Sequence, residues 1–185
     1  MRKVIAAINM TLDGFCDHDA IIADEEIHQH FSDLLRSADT LLYGRITYQL
    51  MESYWPSLVK NPSGVKSLDD FAVTIDKISK VVFSNTLERV NWETVKLATK
   101  GIKEEVLELR QQKGKDILAG SPGLIVTLTN LNLIDEFQIC LHPVILGKGL
   151  PLFKNIQDRV NLTLIRTKIL GCGAVNLYYK PAKKV

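Results

Sequence analysis

The sequence predicts an α/β domain on a mixed, mostly parallel sheet flanked by helices. Short runs that are apolar at nearly every position recur along the chain, with amphipathic helical stripes between them. A run with no polar face suits a strand covered on both sides, which is the condition of a parallel sheet. Toward the C-terminus the pattern changes to alternation around a Gly-Cys-Gly turn, which predicts an antiparallel hairpin at the sheet edge.

The first strand is "KVIAAI" (3–8). Its basic start precedes only five apolar residues before Asn9, too few for a signal-peptide core or a membrane span. A loop over 10–23 follows. Asp24 then caps a helix whose stripe is Ile27, Phe31, Leu34 and Leu35. "TLLYG" (40–44) is a strand that opens into a helix at "RITYQLM". A second long loop is expected over 54–67, where Pro56, Pro62 and Gly64 fall. Leu68, Phe71, Ala72 and Ile75 form the next stripe, with Asp69 and Asp70 in its first turn.

"KVVFS" (80–84) and "TVKLA" (94–98) read as strands. The stripe Ile102, Val106, Leu109 predicts a helix closed by Gly114 at the C′ position. "DILAG" (116–120) is a strand, and "FQICL" (137–141), "NLTLIRTKIL" (161–170) and "AVNLYYK" (174–180) supply the alternating end. Together they are expected to form one domain over residues 1–185, a length that buries a real core.

Composition narrows the function classes. The chain is 46% hydrophobic and 24% charged, ordinary values for a globule, and its formal charge of +2 gives no case for nucleic acid. Three cysteines without CxxC spacing argue against a disulfide framework or a zinc site and fit a reducing cytoplasm. No metal site is expected. His28 and His30 lie two apart on a helix and so point to different faces. His142, before Pro143 at a strand end, reads as structural. Neither GxGxxG after a strand, GxxxxGK[ST] nor GxSxG is present.

The informative residues sit where strands end. In "DILAGSPGL", Ser121 falls at an N-cap and Pro122 at the first helical position, where its missing N–H costs nothing. Gly120 and Gly123 remove Cβ atoms, and the free amides of a first helical turn attract phosphate. The stretch is either a capped helix or an anion cradle. "LLYGRITY" repeats the arrangement: Gly44, then Arg45 and Thr47 at a helix entrance, where a guanidinium grips phosphate in bidentate fashion. In "VVFSNTL", Ser84, Asn85 and Thr86 offer small hydrogen-bonding groups or simply a turn. Asp13, before Gly14, is a turn residue or a polar group facing substrate, and Phe15 is core or the wall of a ring site. "LGKGLP" (146–151) reads as a loop whose Lys148 can reach an anion.

Taken in order, "INMTLDGF", "LLYGRITY", "VVFSNTL", "DILAGSPGL" and "LNLIDEFQICLHPVILGKGLPLF" resemble the dihydrofolate-reductase-like superfamily over nearly the whole chain. Within it they resemble the branch of the reductase domain of the bifunctional riboflavin-biosynthesis deaminase–reductase. The resemblance implies NADPH across the carboxyl ends of the sheet, a small-molecule substrate and a homodimer. It implies that Gly44, Arg45 and Thr47 meet the adenosine and pyrophosphate side, with Ser84, Asn85 and Thr86 near the adenosine phosphates. Gly120, Ser121, Pro122, Gly123 and Leu124 would cradle the pyrophosphate, and Ala7 and Phe15 would flank the nicotinamide. Dihydrofolate reductases carry an acid on the helix after the first loop. Here that helix reads "EEIHQHFSDLL"; by spacing to Gly44, His28 or a neighbour occupies the turn and the acids Glu25 and Asp33 fall off it, which ranks folate reduction low.

Three functions follow as expectations: an NADPH-dependent reductase of the riboflavin type, a silent NADPH-binding sensor, and a dihydrofolate reductase. For the first, Asp13 and His28 are the candidate proton donors.

Overall fold

The computed structural model describes residues 1–21 and 23–182. Eight strands form one sheet: β1 (Val4–Thr11), β2 (Ala38–Gly44), β3 (Ser79–Phe83), β4 (Val95–Leu97), β5 (Asp116–Ala119), β6 (Glu136–His142), β7 (Leu162–Ile169) and β8 (Val175–Pro181). Their spatial order is β4-β3-β2-β5-β1-β6-β8-β7. The first six all run parallel, and β8 is antiparallel to both β6 and β7. The expected hairpin at the sheet edge is therefore present.

Helices α1 (Glu25–Ser37), α2 (Arg45–Lys60) and α3 (Lys66–Lys77) cover one face, while α4 (Ile102–Gln111) and α5 (Pro122–Asn130) cover the other. The two faces explain the unbroken apolar runs. On β1, Val4, Ala6 and Ile8 pack toward α4 and α5, while Ile5 and Ala7 pack toward α1 to α3. Asp24 caps α1 as expected, its carboxylate accepting from the Ile27 amide at 2.9 Å.

Four expectations need correction. The loop over 54–67 is helix as far as Lys60, with Pro56 inside α2. Tyr48 and Trp55 are buried, and Met51, Leu58 and Val59 pack beside them. That apolar stripe outweighs the hydrogen bond Pro56 removes. β1 runs three residues further than expected because Asn9, Met10 and Thr11 pair with Cys140, Leu141 and His142. Gly114 does not close α4, whose cap is Gln112. A Cβ at Gly114 would stand 3.2 Å from the Arg2 guanidinium carbon, so the glycine makes room for the buried Arg2 and its ion pair with Asp39. Finally, β7 lacks the burial alternation its sequence suggests, since all eight of its residues are exposed at the edge of the sheet.

Far from the carboxyl edge, at the start of β3, lies Lys80. The residue is fully buried, and its ammonium donates to the Ile78 carbonyl at 2.8 Å, the Thr94 hydroxyl at 2.7 Å and the Asp76 carbonyl at 3.3 Å. It also sits 3.9 Å from the Trp92 ring centre. Burial lowers its pKa to about 7, against the opposing charge of Asp76. Between that value and the ordinary lysine range, the unfolded chain binds a proton the folded chain does not. The contribution of Lys80 to stability should therefore rise with pH from about 7 to about 10, by on the order of a few kcal/mol. Urea melts across this window should show a stability difference between the native protein and Lys80→Met that grows in favour of the native protein as pH rises; equal slopes would assign the effect elsewhere.

Candidate active site

Because β1, β2, β3, β5 and β6 are parallel, the segments that follow them all emerge at one edge of the sheet. Read across the strand order, the corners come as Ser84-Asn85-Thr86, Gly44-Arg45, Gly120 to Leu124, the loop after Thr11, and the loop after His142. From the first corner to the fourth is three strand spacings, about 14 Å. That is the span of an extended ligand with groups at several points, at the position where open α/β sheets gather ligands.

Two of the corners touch. The Gly44 amide donates to the Ser121 hydroxyl at 2.9 Å, tying the β2 turn to the β5 turn. A Cβ on Gly120 would lie 3.4 Å from the Tyr43 ring and 3.9 Å from the Ala7 carbonyl. The space beside Gly120 is thus bounded by protein at ordinary contact distance. Gly123 differs: a Cβ there meets nothing within 4 Å. Ser121 and Pro122 hold the N-cap and N1 positions of α5 as expected, but no side chain caps the helix, because the Ser121 hydroxyl serves Gly44. The first-turn amides of Gly123 and Leu124 lack intrahelical acceptors by the geometry of any helix start, and the helix dipole adds positive potential. Leu124 turns its side chain into the core.

Arg45 is exposed, with its guanidinium steadied by Gln49 at 3.0 Å and paired with no carboxylate among the described residues. Thr47 is half-buried one turn into α2. At the β3 corner the Ser84 hydroxyl is consumed by its own turn, accepting from the Thr86 amide at 3.1 Å and the Leu87 amide at 3.0 Å. Asn85 and Thr86 are exposed.

Asp13 is also engaged by the protein. Its carboxylate accepts from the Thr11 hydroxyl at 2.7 Å, the Gly147 amide at 2.7 Å and the Leu146 amide at 3.1 Å. The Thr11 hydroxyl and then the Gly147 amide hold its pKa down to about 2. At neutral pH it is an ionised loop tie and has no proton to give. Phe15 is half-buried and bridges to Pro151 in antiparallel fashion.

His28 lies apart from this row, near the start of α1. It lines a cavity of about 390 Å³ with Asp24, Val65, Lys66, Ser67 and Leu68, and its ring centre stands 5.9 Å from that of Phe71. Burial lowers its pKa, so the imidazole is neutral at pH 7. A further polar pair escaped the sequence reading. His142 Nε2 lies 2.9 Å from Asn9 Oδ1, joining the ends of β6 and β1. Asn9 is two residues from Ala7, hence on the same face of β1. The two partners are 133 residues apart, and only the strand register brings them together.

Among the described residues no three His, Cys, Asp or Glu side chains are grouped to hold a metal, and no helix is long and apolar enough to cross a membrane.

An eight-stranded sheet of this order, with helices on both faces and an antiparallel end, is a dihydrofolate-reductase-like fold. Dihydrofolate reductase from Enterococcus faecalis, complexed with NADP(H) and RAB-propyl, superposes with a TM-score of 0.61 at 12% identity, over 98% of this chain and 97% of that one. Within that class, the chain belongs to the RibD C-terminal domain family, whose model matches residues 2–176. The deaminase/5-amino-6-(5-phosphoribosylamino)uracil reductase of Thermotoga maritima superposes with a TM-score of 0.67 at 18% identity, over 98% of this chain and 57% of that one. The uncharacterized protein YyaP of Bacillus subtilis (strain 168) is 36% identical over 184 residues, 96% of this chain and 94% of its own.

Two substitutions separate packing from ligand space. Ser121→Ala leaves the half-buried Gly44 amide without its acceptor and should cost about 1–2 kcal/mol in thermal or urea unfolding. Gly123→Ala meets no neighbour and should be neutral or stabilising by up to about 1 kcal/mol. A large loss for Gly123→Ala would show that the space beside it is not open.

Proposed function

We propose that the protein is an NADPH-dependent reductase that transfers hydride to the C=N or C=O carbon of a small heterocyclic or sugar-derived substrate. The observation behind this reading is the row of corners along one sheet edge, with open space at Gly123, uncapped amides at the start of α5 and an unpaired guanidinium at Arg45. Family membership, and relatives named as reductases, support the reaction class.

The residues fit the cofactor in chemical kind. The Gly123 and Leu124 amides would hold its pyrophosphate, and Arg45, with Asn85 and Thr86, its adenosine phosphates. Ala7 and Phe15 would border the nicotinamide, which supplies the hydride when bound. The protein's share is orientation and the exclusion of water. Reduction also consumes one proton. Asp13, held ionised, is unsuited to give it. His28, neutral at pH 7 and set apart from the row of corners, is equally unsuited, so water would supply the proton. Folate reduction is disfavoured because no carboxylate falls at the spacing where the resemblance to dihydrofolate reductases implies one. The silent sensor differs from the enzyme only in turnover.

Fluorescence titration should detect NADPH binding, and loss of 340 nm absorbance over a panel of pyrimidines, dihydrofolate and small carbonyls should identify the substrate. Arg45→Ala is expected to weaken NADPH about tenfold while changing NADH little. Equal losses for the two nucleotides would remove Arg45 from the 2′-phosphate, and absence of any NADPH binding would defeat the whole reading.

A further inference from the structure

Helix α1 ends where β2 begins and α3 ends where β3 begins, so both helices start toward the carboxyl edge of the parallel sheet. Their starts meet at the cavity of about 390 Å³ beside His28. The cavity lies on the side of the sheet toward which Ile5 and Ala7 pack.

Its lining offers hydrogen-bonding groups of both kinds. Val65, the N-cap of α3, provides no side-chain cap, so the Lys66, Ser67 and Leu68 amides are donors without acceptors in the helix. Ser67 lines the cavity at only 8% exposure, and its hydroxyl bonds to none of the described residues. A hydroxyl so placed is costly to leave without a partner. Acceptors come from α1 and its cap: the Asp24 and Glu25 carboxylates and the neutral imidazole of His28.

Charge decides what such a lining accepts. A free helix start ordinarily attracts phosphate. Here Asp24 caps α1, Glu25 and Glu26 fill its first turn, and Asp69 lies in the first turn of α3. The Ser63 amide, helped by the Ser63 hydroxyl and the Gly64 amide, holds the Asp69 carboxyl below its ordinary range, so it stays charged at neutral pH. None of these four carboxylates is in an ion pair among the described residues. The only cation in the lining, Lys66, is already paired with Asp70. A phosphate dianion would meet like charge on both helices. Hydroxyl groups escape that repulsion, and each can donate to a carboxylate while accepting from an amide.

We propose that the cavity between the starts of α1 and α3 holds a neutral, hydroxyl-rich side chain of the substrate and rejects the same chain carrying a phosphate. This rests on the reductase reading and narrows its sugar-derived substrate to an unphosphorylated one. The α3 amides and Ser67 donate to the chain's oxygens, and Asp24 and Glu25 accept from its hydroxyls.

The probes are sorbitol and sorbitol 6-phosphate, titrated into the native protein and followed by amide and imidazole NMR signals. Sorbitol should give saturable shifts at Lys66, Ser67, Leu68 and the His28 ring, and its phosphate should bind at least about tenfold more weakly. Ser67→Ala removes a hydroxyl that the fold leaves unpaired. Its melting temperature should therefore hold while sorbitol affinity falls about three- to tenfold. Glu25→Lys should narrow or reverse the preference against the phosphate. Absent shifts at these residues, equal or tighter binding of the phosphate, native affinity in Ser67→Ala, or a native preference in Glu25→Lys would each overturn the assignment. Repeating the titration with NADPH separates the two readings. Failure of NADPH to bind defeats the reductase, whereas bound NADPH without sorbitol shifts defeats only the role given to the cavity.

Discussion

Parallel pairing of β1 with β5 and β6, and of β2 with β3 and β5, is the constraint on which the site depends. A parallel sheet cannot be joined by tight hairpins, so each strand is followed by a crossover and every crossover begins at the same edge. Corners far apart in sequence, at Thr11, Gly44, Phe83, Ala119 and His142, therefore become neighbours. The same arrangement buries both faces of the sheet and leaves the corners as the place where polar backbone meets solvent.

The corners divide by how their polar groups are used. Ser121, Ser84 and Asp13 spend their oxygens on the protein's own amides and so set the shape of the edge. Arg45, Asn85, Thr86 and the first turn of α5 remain turned to solvent or free of side-chain caps. Residue types that suggest ligand contact thus include some that build the cradle and others that would fill it. Gly120 and Gly123, three residues apart, differ in surroundings: the first lies against the Tyr43 ring, the second borders open space.

Much of this was legible in the sequence. Strand positions followed from apolar runs, and the Ser-Pro junction fixed the start of α5, because those signals are local. Failures occurred where a distant partner decided the outcome. Pro56 marked a loop until Tyr48 and Trp55 anchored α2 through it. Gly114 looked like a helix stop, but its small size serves Arg2 and Asp39. Asp13 could be read as a turn residue or a substrate-facing acid; its amide partners at Leu146 and Gly147 are more than 130 residues away and could not be seen. The Asn9–His142 pair was invisible for the same reason.

The central claim is that the first-turn amides of α5 and the side chains of Arg45, Asn85 and Thr86, from three separate corners, would hold one extended nucleotide. The most direct test is an amide chemical-shift titration of the native protein with NADPH. The account expects the largest changes at Gly44, Gly123 and Leu124, with smaller ones at Asn85 and Thr86. Shifts confined to the opposite edge, around Arg2 and Gly114, or no shifts at saturating NADPH, would contradict it.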